Sequence, residues 1–338
     1  MSPIGYYIHH HGSGHLHRAL TLAPHLPGPV TGFSSLARPA GWEGPWVELP
    51  RDDSLASYAD AHDVSVGDRL HWAPLGDPGL RERMSLLAGW IGREAPAAMV
   101  VDQSVEVCLL ARLHGVPVVA LTAPGRRTDP AHRLGFDAAT ALVGAWPPGA
   151  TSWMLPGLDP AVAARFQPVG AVSRFPVTAR PHPSRRRRHA VLIAGTGGDG
   201  FTAATIAAAQ EQTPDWDWTI LSRTLGSWHH DPSAVLTTAD VAVLHPGQNS
   251  LAEVAALRLP AVVVPAQRPF DEQHVTAEVL RDEWPAVVAD ELETADWGHL
   301  LHQAADLDGD GWAAWCDGGA PARVAAVVSR VLDRARAA

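Results

Sequence analysis

The chain contains no lysine. All 26 of its basic residues are arginine, so it can build no Schiff-base lysine, no lysine anchor for pyridoxal phosphate and no phosphate-loop lysine. A GC-rich coding sequence biased toward Arg and Ala accounts for the bias, and the chemical exclusion holds whatever its origin. Cysteine is scarce: Cys108 and Cys316 alone offer no disulfide framework and fit a reducing cytoplasm. No apolar run approaches the roughly 20 residues that a membrane-spanning helix needs. The strand-like Ile4-Gly5-Tyr6-Tyr7-Ile8 comes almost at once, so no signal peptide is expected. A basic footprint is missing too, and a formal net charge of −10 argues against a nucleic-acid partner.

What remains is ordinary globular material, 46% hydrophobic with a mean hydropathy of −0.03. Single cores stop growing at roughly 250–300 residues, so 338 residues predict two domains. In the first half, Ile4–Ile8 leads into a helical pattern over His15–Leu26, Met99–Asp102 reads as a buried strand, and Val116–Leu121 reads as another. Residues 38–80, rich in Gly, Pro and Trp, read as irregular. After a Pro- and Arg-rich stretch at 179–188 the alternation restarts with Ala190–Ala194, followed by strand-like Thr219–Leu221, Val241–Leu244 and Ala261–Val264. Alternating β and α predicts parallel sheets covered by helices. The expected organisation is a domain over 1–178, a linker over 179–188 and a second domain over 189–338. Val324, Val327, Val328, Val331 and Leu332 fall at helical spacing and predict a terminal amphipathic helix.

The most informative segment is His245-Pro246-Gly247-Gln248-Asn249-Ser250-Leu251-Ala252-Glu253, followed by Asp271-Glu272-Gln273. Gly, Gln, Asn and Ser at a helix start offer free N–H groups and a positive dipole end, which suit a diphosphate. A glutamate about one turn further in can accept from two ribose hydroxyls. The Asp-Glu-Gln trio can hydrogen-bond a sugar. Ser250 and Glu253 also fit a capping box, which leaves His245, Gly247, Asn249 and the distal trio unexplained.

At these residues the chain resembles the donor-binding signature of GT-B glycosyltransferases. The H-x-G-x-N-S-x-x-E core is shared with the UDP-glycosyltransferase superfamily. Arg268-Pro269-Phe270-Asp271-Glu272-Gln273 looks more like bacterial relatives of the cell-wall lipid-linked N-acetylglucosaminyltransferase. Arg258 departs from the Gly usual in the family, and the stretch before Asp271 is longer than in the plant-type motif. The resemblance implies an α/β fold of two Rossmann-like domains facing a cleft, with the last helix crossing back to the first domain. It also implies transfer of a sugar from a nucleoside diphosphate donor, UDP ahead of dTDP, to a nucleophilic acceptor, with inversion and without a metal. His245, Gly247, Gln248, Asn249 and Ser250 would hold the diphosphate, Glu253 the ribose, and Asp271, Glu272 and Gln273 the sugar. No cofactor is expected, the nucleotide-sugar being a co-substrate.

His10-His11-Gly12-Ser13-Gly14-His15 joins the first strand to the first helix and resembles the family's G-x-G-H block. That likeness makes His15 the general base, a role suited to an unperturbed pKa near 6.5. Asp102, at a strand end, resembles the aspartate that orients this base; it could equally cap the following helix. The five histidines of positions 9–17 also admit a structural reading, and no metal site is expected among them. Gly195, Thr196 and Gly197 form a glycine-rich turn resembling the loop that contacts donor phosphate. Trp228 is a candidate nucleobase stack. Asp306–Asp317 imitates a calcium loop but lacks the glutamate at position twelve, so it reads as an acidic surface turn. Arg185–Arg188 reads as linker, with attachment to an anionic membrane face as its functional alternative. The acceptor can be a small molecule, a peptide or a lipid-linked compound. A nucleotide-sugar 2-epimerase and a non-catalytic nucleotide-sugar-binding protein are the competing readings.

Overall fold

The computed structural model describes residues 2–53, 63–180, 187–194, 200–225, 229 and 231–337. The first half runs β1 (Ile4–Ile8), α1 (Gly14–Leu22), β2 (Val30–Ser34), β3 (Trp46–Glu48), α2 (Pro78–Glu94), β4 (Ala98–Asp102), α3 (Val105–Leu113), β5 (Val118–Thr122) and α4 (Pro130–Ala138). It ends with β6 (Ala141–Gly144), the short α5 (Thr151–Met154) and α6 (Pro160–Ala163), and β7 (Phe166–Pro168). The second half runs β8 (Arg188–Ala194), α7 (Ala203–Gln212), β9 (Trp216–Ser222), α8 (Pro232–Leu236), β10 (Val241–Leu244), α9 (Gln248–Ala256), β11 (Ala261–Val263) and α10 (Glu272–Leu280). It closes with β12 (Ala286–Val288), α11 (Trp297–Ala305) and α12 (Ala320–Ala337).

Both sheets are parallel throughout. The first has the order β3-β2-β1-β4-β5-β6-β7 and the second β12-β11-β10-β8-β9. Strands such as Ala98–Asp102 and Val241–Leu244 are buried along their whole length, the continuous apolar run that a sheet covered on both faces requires. Each sheet reverses its strand order once, between β1 and β4 and between β8 and β10. Ligands of open α/β sheets bind in the crevice at such points, outside the carboxyl ends of the strands.

Local chemistry sets the element ends. α1 stops at Leu22, where Ala23-Pro24-His25 turns into a tight 3₁₀ segment, since Pro24 has no N–H to continue an α-helix. The irregular segment expected over 38–80 hides β3, three residues paired with β2 at the sheet edge. Arg258, in place of the usual Gly, does adopt a left-handed backbone (φ 55°). Its buried guanidinium offsets that strain by donating to Ala255 O at 2.6 Å and Cys316 O at 2.9 Å. After the second sheet, α12 packs on the first: Val324, Val328 and Val331 share a buried cluster with Ile4, Tyr6 and Val100, and Arg323 Nε donates to Val169 O at 2.8 Å.

Residues 181–186 of the expected linker lie outside the described residues. Arg187 and Arg188 are paired rather than free, with Asp217 and Asp306. In the calcium-like loop, Asp308 caps a 3₁₀ turn through Asp310 N and Asp317 pairs with Arg323. Among the described residues no helix is long and apolar enough to cross a membrane.

Candidate active site

The two switch points face each other across a cavity of about 980 Å³ lined by both halves. Register places Ile8 beside Asp102, so the loop after β1 lies against the end of β4. There, His15 Nδ1 stands 3.0 Å from Asp102 Oδ1, and Arg18 Nη1 donates to the same oxygen at 3.2 Å. Asp102 is fully buried. Burial alone would raise its carboxyl, but the Arg18 guanidinium and then His15 outweigh this and hold it below the ordinary aspartate value. The alternative role for Asp102 as a helix cap is overturned. Ser104 caps α3, its hydroxyl accepting from Val107 N at 3.2 Å.

Across the cavity α9 begins at Gln248, with Gly247 as its cap residue and no side-chain cap. The capping-box alternative for Ser250 and Glu253 is therefore also overturned. The starts of α1 and α9 are in close approach: a side chain at Gly14 would land 2.2 Å from Asn249 Nδ2. Two positive helix ends thus converge on one space, which favours an anion between them. Arg18 Nη2 donates to Gln248 Oε1 at 2.8 Å and so ties the His15–Asp102 pair to the start of α9. His245 Nδ1 bonds Val264 O at 2.6 Å while its buried Nε2 has no partner among the described residues. Phe201 lies on its ring, with centroids 4.4 Å apart. Burial lowers the His245 pKa, and Arg268 lowers it further against the Val264 contact.

The donor-side carboxylates do not stand open. Arg174 Nε donates to Glu253 Oε1 at 2.7 Å and Nη2 to Oε2 at 3.4 Å. Burial raises the Glu253 pKa despite this partner. Asp271 pairs with Arg126 at 3.2 Å and Glu272 with Arg127 at 3.8 Å. Gln273 is buried, its Oε1 accepting from Ala266 N at 2.8 Å. Gly125 makes this junction possible: its positive φ (121°) lets it lie where any Cβ would meet Phe270 O at 2.4 Å. The candidate residues Gly195, Thr196, Gly197 and Trp228 lie outside the described residues.

Sequence reasoning missed Arg18, Arg126, Arg127, Arg174 and Phe201. Arg18 alone carried a signal, since it follows His15 by three positions on α1 and so shares its face.

Two facing parallel α/β units with their switch points across a cleft define the GT-B fold, and the chain has that fold. Residues 192–306 match the glycosyltransferase family 28 C-terminal domain. Among solved structures, the chain is similar to the glycotransferase of kitacinnamycin (TM-score 0.69, 16% identity, 98% of this chain and 99% of that one). It is likewise similar to MurG of Acinetobacter baumannii (0.61, 14%, 97% and 99%). A third is UGT89C1 of Arabidopsis thaliana, solved with UDP (0.62, 14%, 98% and 100%). No curated protein matches the chain by sequence.

Proposed function

We propose that the protein transfers a hexosyl group from a nucleoside diphosphate sugar to an acceptor hydroxyl, with inversion at the anomeric carbon. The observation that carries this reading is the His15–Asp102 pair at one switch point, joined through Arg18 and Gln248 to the helix start at the other. With His15 Nδ1–H held by Asp102, Nε2 is left to take the acceptor proton. As the acceptor oxygen bonds the anomeric carbon, the bond from that carbon to the diphosphate oxygen breaks and the electron pair leaves with the nucleotide. The charge that develops there meets the N–H groups of α9, the side chains of Asn249 and Ser250, and His245, whose Nε2 donates once protonated because Nδ1–H is held by Val264 O. Gly195, Thr196 and Gly197 complete the diphosphate contacts, and Trp228 stacks the base. The helix ends and arginines supply the charge that a metal would otherwise bring, so transfer proceeds without one.

Glu253 takes the ribose, whose hydroxyls replace the Arg174 guanidinium. Asp271 and Glu272 take the sugar, as does the amide N–H₂ of Gln273, whose oxygen is already engaged. UDP is the first choice of nucleotide, in keeping with the relative of this fold that holds it, and dTDP the second. The setting is cytoplasmic, in keeping with two buried free cysteines.

Calorimetric titration with UDP, dTDP, GDP and ADP tests the donor site. Saturable binding of a uridine- or thymidine-type nucleotide is expected. Glu253→Ala should weaken it by about tenfold or more, the loss of one hydrogen bond to a charged group. Absence of binding by all four nucleotides removes the basis of the assignment.

A further inference from the structure

We infer that His10, His11 and Asp53 form a binding site for a zinc-class divalent cation on the N-terminal side of the cleft. The inference goes beyond the transfer reaction and stands without it. It also revises the sequence expectation of no metal site, which could not see Asp53 brought beside the histidine run.

The first observation is an orphan. The His10 side chain is 3% exposed, yet neither of its ring nitrogens has a hydrogen-bond partner among the described residues. Buried polar groups are nearly always satisfied, and one that is not calls for an ion, a water or a ligand. The second observation is spacing. His10 Nε2 lies 4.0 Å and His11 Nε2 3.6 Å from the same oxygen, Asp53 Oδ2. The three ligand atoms fall within 4.8 Å of one another. These separations are too long for hydrogen bonds. They approach the edge of about 3.4 Å that a tetrahedron with metal–ligand bonds near 2.1 Å would have. Closing on an ion requires the two Asp53 contacts to shorten by a few tenths of an ångström, and the two imidazoles, within 4.8 Å of each other, to draw in by up to about 1.4 Å.

The surroundings select the kind of ion. Arg51 donates to both oxygens of Asp53, Nε to Oδ1 at 2.9 Å and Nη2 to Oδ2 at 2.5 Å. This orients the carboxylate and leaves each oxygen a second lone pair. Asp52, 3.8 Å from His10 Nε2, is bound by Arg83. Both carboxylates are thus already matched in charge, so affinity must come from nitrogen ligation. That favours Zn²⁺ over Mg²⁺ or Ca²⁺, which need oxygen ligands. His11 is 63% exposed, so the ion has a path in and a fourth position open to the cleft.

A second group of the same composition, His71, Asp129 and His132, makes a useful contrast. His71 Nε2 and His132 Nδ1 both bond Asp129, at 3.1 and 2.5 Å, and Arg127 Nη1 stands 2.8 Å from His132 Nε2. Both nitrogens that face Asp129 are already bonded to it, and the other nitrogen of His132 is taken by Arg127.

Tag-free protein, stripped with EDTA, should be titrated with ZnCl₂ by calorimetry and with CoCl₂ by visible absorption. Expected are a single saturable equivalent of Zn²⁺, tetrahedral Co²⁺ bands, and no competition from millimolar Mg²⁺. His11→Ala, an exposed change that spares the fold, should weaken binding by more than about 100-fold, exceeding the losses typical of residues one shell further out. His10→Ala, checked for folding by circular dichroism, should do the same, while His71→Ala should bind as wild type. The inference is overturned if the folded wild type takes up no Zn²⁺, or if His11→Ala retains it. It is equally overturned if only His71→Ala loses it.

Discussion

His15→Ala is expected to lower kcat by about 10²–10⁴-fold, the usual contribution of a positioned acid–base group, while leaving UDP affinity close to wild type. Steady-state kinetics and nucleotide titration on one preparation check both parts. The substitution is clean because His15 sits at a helix start with 21% of its side chain exposed and no place in the core. Its removal leaves Asp102 still paired with Arg18. An unchanged kcat would remove His15 from the chemistry. Asp102→Asn is a less clean probe. Asp102 has a depressed carboxyl, so its contribution to stability is fully present above the ordinary aspartate range and is lost as pH falls through the lowered value. At neutral pH the amide forfeits that contribution and leaves the buried Arg18 without its counter-charge. Breaking a buried pair in this way costs about 3–5 kcal/mol. Loss of activity in Asp102→Asn must therefore be read beside its melting temperature, and the His15 variant decides the base.

How much of this was open to sequence reading depends on chain distance. The spacing from His245 to Glu253 is local, and it located the end of β10, the start of α9 and the residues at that start. The run from His10 to His15 is local too, and its turn lies where β1 hands over to α1. What could not be read are the pairs that join distant segments. Arg174 meets Glu253, Arg126 and Arg127 meet Asp271 and Glu272, and Arg18 meets Gln248. In a chain with 26 arginines and no lysine, nothing local distinguishes Arg126, Arg127 and Arg174 from the rest, and the spacing of Arg18 from His15 gave no hint of Gln248. β3 was hidden for another reason: three residues among Gly, Pro and Trp are too few to show a period. Capping stood as the alternative reading because Ser-x-x-Glu and Asp before Gln-Ser fit capping patterns locally. Tertiary partners, Arg174 for one and the His15–Arg18 pair for the other, claimed the carboxylates instead.

Acidification is expected to destabilise the fold steeply below pH 6.5. Burial, reinforced by Arg127, lowers the His132 pKa to about 4. Burial and Arg174 bring His17 to about 4 as well. Between pH 6.5 and 4 these imidazoles stay neutral in the fold but take up protons once it opens. The unfolded chain then binds more protons, and stability falls as pH falls. For the buried His132 the slope is about 1.4 kcal/mol per pH unit; the partly exposed His17 adds less. Glu253 acts in the opposite sense, its raised pKa letting the fold take up a proton first, so it offsets part of the loss. Denaturant melts at pH 7, 6 and 5 should show the fall, with a shallower slope in His132→Gln. His245, whose pKa burial also lowers, links the effect to function. A diphosphate at its Nε2 would favour the imidazolium, so the stabilisation conferred by a fixed excess of UDP should grow from pH 7 to pH 6. A UDP effect independent of pH over that interval would place the diphosphate away from His245, and with it the direction in which the donor enters α9.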